Sequence, residues 1–522
     1  MQYAQIIADH KAGYEPFTYQ IPTPLLAHLA KGSVVLVPVG RETVHGVVVD
    51  FIRRVDDTLA PKLKPIESVV YPGAFIPGYL IDAVYELKQK YGYGLSATLF
   101  CFLPEFPKRK QSEIISSGKP GRGYKVHESI IDLPRRADVY RNLAKRVAQS
   151  GQSLLIITSS HNATEALCDK LKVPFTLFPA DPSAKSRREY FLHALSAEPT
   201  IFIGTRGAIA TPLNRIGAVV IDEPWLPGHK EDSSPKMWSA LAMQAVCKMR
   251  GIPLYLISSV AWPESQLLHA RQSVIQTSTP GELTIVPKRP LTEIVTQFLA
   301  DHDDAHATLA VFVHETHRPV YWCATCERAW PESGTCQKCR KETIMLPPIT
   351  CDTLHKLLIP HVPDAHITVL PAEALAQYRT FTAALVINFD VYLSITDFRA
   401  PSYLRTLITL LRAQAKHVQL VTAHPDTWTP LTQPFDFDAQ LVERQTHNLP
   451  PFSWAVTLSG KQKPTLEKLD LNEAPDILKA SKIHKRRDEY CISLLVKTTG
   501  HLPNAWHKKS GLKIDYLPNY VE

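Results

Sequence analysis

Between residues 124 and 435, short apolar runs alternate with longer amphipathic stretches. Leu154–Thr158, Phe175–Phe178, Ile201–Ile203, Ala218–Ile221 and Leu254–Ser258 read as strands. Their length and β-branched content suit buried parallel strands, and the stretch Ala137–Ser150 keeps Val139, Leu143 and Val147 on one helical face. A second series, Leu309–Val313, Ile367–Leu370, Leu385–Ile387 and Gln419–Thr422, repeats the pattern. Two parallel sheets, each covered by helices, are expected at 124–270 and 271–435. The flanks read differently. Residues 1–70 form a small β-rich unit, with strands at Tyr3–Ile7, Ser33–Val37 and Gly46–Phe51, a turn at Pro38–Arg41, and Phe17-Thr18-Tyr19 near a loop. Residues 71–115 are helical at Tyr79–Tyr91, followed by Leu99–Leu103, and the Gly-, Pro- and Ser-rich stretch 116–123 is a linker. The last unit, 436–522, is α+β, with strands at Glu489–Lys497 and Leu512–Tyr516.

Composition narrows the class. The 522 residues are 45% hydrophobic and 21% charged, ordinary for a globular protein and too many for one core. No apolar run is long enough to span a membrane, and the start MQYAQIIADHK lacks the basic and apolar regions of a signal peptide. A net charge of +8 permits a polyanionic partner. The nine cysteines are uneven, four of them within 323–339, which fits a reducing cytoplasm and one metal site better than disulfides.

Three groups carry candidate chemistry. Cys323-x-x-Cys326, nine residues, then Cys336-x-x-Cys339 is the spacing of a zinc ribbon at 320–346, with four thiolates placed tetrahedrally around one structural ion. His314, His317 and Cys351 lie nearby but are unnecessary, because four sulfurs close such a site. Asp222-Glu223 ends an apolar strand. It either holds magnesium and activates water, as in a nucleotide hydrolase, or merely caps the strand. Lys482, Lys485, Arg486 and Arg487, then His507, Lys508 and Lys509, are basic groups for a phosphate backbone or a solvated surface; so is Lys108-Arg109-Lys110.

The segments YEPFTYQIP, VVLVPVGRETVHGVVVDF and KLKPIESVV resemble the 3′-DNA-binding domain of the primosomal protein N′ (PriA) family, superfamily-2 helicases of replication restart. The resemblance implies a pocket for a nascent 3′ end at Phe17, Thr18, Gly40 and Lys64: a stacking face, a hydrogen bond, a close backbone approach and a phosphate partner. The alternative is that Phe17 is core. Further matches are Gly204-Thr205-Arg206, VVIDEPWLPGHKEDSSPKMW, Asp397-Phe398-Arg399-Ala400 and Leu449-Pro450-Pro451-Phe452. Together they imply a multidomain α/β protein: the DNA-binding β domain, a winged helix, two RecA-like helicase lobes with a zinc-ribbon insertion, and an α+β C-terminal domain. The implied partners are forked DNA with a 3′ end at the junction, primosome proteins and single-strand-binding protein, and the chain is expected to act as a monomer.

The groups that handle a triphosphate are missing from this pattern. A phosphate loop reads G-x-x-x-x-G-K-[ST], whereas the corresponding residues run from Ile131 to Ala137, with Arg136 at the lysine and Ala137 at the hydroxyl. No glycine remains, Pro134 removes a backbone donor and Asp132 repels phosphate. Ser258-Ser259-Val260-Ala261 replaces a Gly-Ser-Ala-Thr-Pro loop. Gln414 and His417 stand where charge-stabilising arginines belong, with Arg412 out of register. The expectation is a DNA-structure binder and primosome scaffold that does not hydrolyse ATP, Asp222 and Glu223 being vestigial. The alternatives are an ATP-dependent 3′→5′ DNA helicase with an unusual nucleotide site, and a zinc-ribbon protein acting only through protein contacts.

Overall fold

The computed structural model describes the chain except residues 1–2, 11–13, 57, 108–122, 181–182, 197, 232, 270, 277–279, 289–290, 303, 305, 316–319, 324, 326–327, 331–333, 337, 347, 359–366, 372–379, 391–398, 433–436, 470, 472–473, 487–488, 498–505, 507–511 and 517–522. Lys108, Arg109, Lys110, His317, Cys326, Asp397, Phe398, Arg487, His507, Lys508 and Lys509 therefore lie outside the described residues.

The front sheet is built from β1 (Tyr3–Ala8), β2 (Phe17–Gln20), β3 (Val34–Val39), β4 (Glu42–Ile52) and β5 (Ser68–Tyr71), in the order β2-β1-β4-β3-β5. Side chains alternate between two cores, as the period of a strand requires. Ala4, Ile6, Val35, Val37 and Val48 fill a small core of the domain itself. Ile7, Val34, Leu36, Val47 and Val49 join the main core of the molecule. Phe17-Thr18-Tyr19, expected near a loop, is strand, because β2 pairs antiparallel with β1 through Ile6↔Phe17 and Gln5↔Thr18.

Two helices follow, α1 (Gly78–Tyr91) and α2 (Leu95–Cys101). Helix α1 buries Leu80, Ile81, Val84 and Leu87 and stops at Gly92, whose left-handed φ of 65° lets its N–H cap the Lys88 carbonyl. Between Tyr71 and Pro107 these helices stand without a strand pair to make a wing. Their outer anchor is Tyr79, which accepts from the Leu213 N–H at 2.9 Å and donates to Asn214 Oδ1 at 2.9 Å.

The first α/β unit runs β6 (Val126–Ile131), α3 (Leu133–Ala148), β7 (Ser153–Ile157), α4 (His161–Leu171), β8 (Phe175–Leu177), α5 (Ala184–Ser196), β9 (Ile201–Gly204), β10 (Ile216–Asp222), α6 (Ser239–Arg250), β11 (Leu254–Ser258) and β12 (Arg271–Gln276). All neighbours in the order β12-β6-β11-β10-β7-β9-β8 are parallel. Leu154–Ile157 and Ala218–Ile221 are almost completely buried, as continuous apolar strands covered on both faces should be.

The second unit contains β13 (Glu282–Pro287), α7 (Leu291–Asp301), β14 (Leu309–Val313), the small strands β15 (Val320–Cys323), β16 (Arg328–Trp330) and β17 (Ile344–Leu346), α8 (Cys351–Leu358), β18 (Ile367–Pro371), β19 (Phe381–Ile387), α9 (Ala400–Gln414), β20 (Ala415–Thr422) and α10 (Pro425–Thr432). Its main sheet, β13-β20-β19-β14-β18, is parallel throughout, and the three small strands form a separate antiparallel sheet. These two parallel, helix-covered sheets have the arrangement expected of RecA-like lobes.

The last unit has α11 (Phe437–Thr446), β21 (Ser453–Gly460), α12 (Lys463–Glu467), β22 (Ile477–Ala480), β23 (His484–Arg486), β24 (Glu489–Lys497) and β25 (Leu512–Tyr516). Its sheet runs β22-β24-β21-β25. Trp454 meets Tyr91 edge-on at 5.3 Å, so the C-terminal unit and the front helices share one core with the first lobe.

Candidate functional site

The carboxyl ends of β6, β10 and β11 point to one place, where a parallel α/β sheet ordinarily receives its ligand. Strand β6 ends at Ile131 and helix α3 begins at Leu133, so Asp132 alone separates them. The expected helix start at Ala137 is a turn too late. Pro134 sits in the first turn, where its fixed φ suits a helix and its missing N–H costs nothing. No loop is left to wrap phosphates.

Arg136 fills the space instead. Its side chain is fully buried. Nη1 donates to Asp222 Oδ1 at 2.7 Å; Nη2 donates to Glu223 Oε1 at 2.5 Å and to Ser259 Oγ at 2.7 Å; Nε donates to the Ile131 carbonyl at 2.9 Å. Tyr140, one turn further along α3, donates its hydroxyl to Asp222 Oδ1 at 2.7 Å. Ser259 donates its N–H (2.9 Å) and hydroxyl (2.5 Å) to Glu223. Burial holds the Glu223 carboxyl above the usual carboxylate range, while the Arg136 charge opposes that shift. Glu223 also has a left-handed φ of 51°, a conformation that ordinarily costs a non-glycine residue energy and is held here by these bonds. The arginine thus fills the space at the carboxyl ends of β6, β10 and β11 and pairs with both acidic residues there.

Behind this network His229 places Nε2 2.7 Å from the Asp222 carbonyl. Burial lowers its pKa to about 4, with Arg206 adding to the fall and Asp222 opposing it. A histidine kept neutral in the folded chain but ordinary in the unfolded one supports stability above pH 6.5, and that support is lost as pH falls toward 4. The size is roughly 3 kcal/mol. His229→Gln should flatten this acid limb in urea titrations at successive pH values; an unchanged limb would assign it to other groups.

In the front domain the structure brings Lys64 and Gly40 together. Lys64 Nζ donates to the Gly40 carbonyl at 2.8 Å, and Gly40 has a φ of 60° with open space beside its Cα. The backbone around Lys64 bonds to the end of β2 (Gln20 N to Lys64 O, Ile66 N to Gln20 O, both 3.0 Å), and Tyr19 donates to the Pro38 carbonyl at 3.2 Å. Phe17 and Thr18 lie on the same strand, half-buried, with Phe17 packed against the small core.

The ribbon gathers Cys323, Cys336 and Cys339, whose sulfurs all lie within 4.8 Å of one another. The tight turn after Cys336 closes with Arg340 N to Cys336 O at 2.8 Å. Backbone N–H groups of Cys339 and Lys338 aimed at the Cys336 sulfur lower its pKa to about 6, the setting of a thiolate ligand. Such a soft, anionic donor set could hold a metal ion.

In the second lobe α9 ends at Gln414, so His417 lies in β20 rather than on a helix. It is exposed and faces Glu282 at 3.4 Å. Arg412 donates from Nε to the Gly281 carbonyl at 2.7 Å, and Gln414 is buried, bonding the Leu410 carbonyl at 2.9 Å. Neither Arg412 nor His417 is bonded to the Asp222 network. Tyr140 and His229 were not singled out in the sequence. Tyr140 could have been found as the residue one turn after Arg136, whereas nothing in the spacing marks His229.

Residues 5–104 match the family described as the 3′DNA-binding domain (3′BD) of PriA. Replication restart protein PriA of Helicobacter pylori is 21% identical over 252 residues, 44% of this chain and 38% of that protein. PriA of Synechocystis sp. is 33% identical over 144 residues, 26% of this chain and 17% of that protein. The chain thus spans well under half the length of the curated relatives it matches. Among solved structures, RecG bound to a three-way DNA junction has a TM-score of 0.34 at 10% identity, covering 63% of this chain and 44% of that one. Dbp5 of S. cerevisiae, bound to RNA and ADP BeF3, has a TM-score of 0.37 at 8% identity, covering 71% and 96%.

Proposed function

Because this chain belongs to the PriA family, we propose that it binds branched DNA in replication restart and acts as a scaffold without hydrolysing ATP. The observation that carries the reading is Arg136, seated on both acidic residues that hydrolysis would need, on a strand-to-helix junction one residue long. A nucleotide would have to expel a buried guanidinium and leave two buried carboxylates unpaired, a cost of several kcal/mol. Its attraction for phosphate would come without glycine N–H groups or a free lysine.

Phe17, Thr18, Gly40 and Lys64 are proposed as the pocket for the 3′ end. Lys64 supplies the positive charge, and the Gly40 turn presents open backbone beside it. The ribbon is proposed to hold one structural zinc through Cys323, Cys336 and Cys339, with Cys326 as the fourth ligand by its spacing. Lys482 and Lys485, both exposed, are proposed as further backbone contacts in the C-terminal unit.

Lys64→Ala should weaken binding to a fork with a free 3′ hydroxyl about tenfold and leave a 3′-blocked fork unchanged, read by fluorescence anisotropy. Equal losses on both forks would remove the end-recognition role. Calorimetric titration with Mg·ATP, with and without fork DNA, should show no heat of binding. ATP turnover that Asp222→Ala abolishes would establish the helicase reading instead.

A further inference from the structure

Helix α9 of the second lobe is apolar on two sides. Leu404, Leu407, Ile408 and Leu411 belong to the core of its own lobe. A second stripe, Arg399, Tyr403, Thr406, Leu410 and Ala413, recurs every three or four residues, one face of a 3.6-residue helix with Arg399 at its N-cap. That stripe meets the first lobe along the helix. Arg399 lies over the Trp238 ring at 5.9 Å, and Tyr403 packs on the main core. The Trp262 indole N–H donates to Thr406 Oγ1 at 3.1 Å, both groups buried. Leu410, fully buried, sits in the first lobe's own cluster with Ile131, Leu133 and Ala137, the residues around the junction that Arg136 closes. Ala413 packs against the same cluster.

The chain that follows adds a second fastening. Arg444, on α11, donates to Glu264 of the first lobe at 2.6 Å and to the Pro450 carbonyl at 2.8 Å, and Arg444 and Glu264 are both buried. Ser402 of α9 donates to Gln440 Oε1 of α11 at 3.2 Å, so opening the lobes would expose Leu410 and Trp262 to water and break either that buried bond or the Arg444–Glu264 pair, and it is strongly opposed. A nucleotide can move a conformational equilibrium only through different affinities for its two states, and here the place at the carboxyl ends of β6, β10 and β11 is already filled by Arg136.

We propose that α9 is a permanent staple, and that the two lobes form one rigid, nucleotide-independent platform for DNA in place of a hinged motor. The proposal deepens the scaffold reading and rests on it only for the identity of the ligand.

Ketone-bearing residues introduced at the exposed positions Glu165 (α4) and Thr296 (α7) would accept spin labels without touching the cysteines. Pulsed electron resonance on the full chain should give one narrow inter-lobe distance, the same alone, with saturating Mg·ATP and with fork DNA. A second population, or a maximum displaced by ATP or DNA, would overturn the staple. Thr406→Val, which removes the Trp262 bond together with the bond that Thr406 Oγ1 donates to the Ser402 carbonyl within α9 (2.9 Å), and Leu410→Ala, which thins the apolar contact, should broaden the distribution while the far-ultraviolet circular dichroism stays unchanged. The same two variants should bind fork DNA several-fold more weakly; unchanged distances in both would also overturn it. If the parent chain ignores fork DNA altogether, the function fails, yet the narrow distance in free protein still decides the staple.

Discussion

Arg136→Met is expected to lower the unfolding free energy by about 3–5 kcal/mol, the cost of leaving buried carboxylates without their partner. Urea titration at neutral pH reads it directly, through a midpoint that falls at constant slope. The reason is geometric. Four donors of one guanidinium end on Asp222, Glu223, Ser259 and the Ile131 carbonyl, and no water reaches them. Adding Asp222→Asn and Glu223→Gln to Arg136→Met should restore much of the loss, since neutral amides tolerate burial far better than unpaired charges. A loss below about 1 kcal/mol in the single variant would show that the cluster is solvated and its arginine dispensable. Arg136→Lys should also be destabilising, because an ammonium cannot serve four acceptors arranged around a planar fork. None of these variants should acquire ATP turnover, as none restores a phosphate loop.

The second large effect belongs to the ribbon. The purified chain is expected to carry one zinc ion, and its removal should unfold the segment 320–346, because zinc in such small sites contributes about 10–16 kcal/mol of folding free energy at neutral pH. Hydrogen exchange after treatment with a chelator should rise across Val320–Cys323 and Ile344–Leu346, while Ala218–Asp222 in the first lobe stays protected. Cys336→Ser should reproduce that pattern and abolish the metal content. An unprotected ribbon with zinc present, or a protected one after complete stripping, would refute the structural role. Since the ligands must be thiolates, zinc affinity should fall as pH drops below the region of Cys336's pKa of about 6.

These two centres also show how differently local and tertiary information are encoded. The cluster of Cys323, Cys336 and Cys339 was legible because cysteines repeat here at short range, as two Cys-x-x-Cys pairs. Strands such as Leu254–Ser258 and Leu309–Val313 coincide with their apolar runs, since a strand covered on both faces must be apolar throughout. The absence of a phosphate loop could also be read residue by residue, at Asp132, Pro134 and Arg136.

What took that loop's place could not. In the sequence Arg136 stands only at the position that the resemblance gives to a lysine, and its partners lie 86, 87 and 123 residues further on. Only the parallel order of β6, β11 and β10 brings the three strand ends together. The second face of α9 was hidden for the same reason. A helix that serves two cores looks merely apolar in sequence, and periodicity cannot name the partner of each stripe. Lys64 and Gly40 occupy an intermediate case: the resemblance pairs them, and the folded front domain sets them 2.8 Å apart. The chain alone therefore determined which elements form, because those depend on near neighbours. Burial of Arg136 between two acids, and the sharing of α9 by both lobes, were decided by contacts between distant segments, which exist only once the sheets have formed.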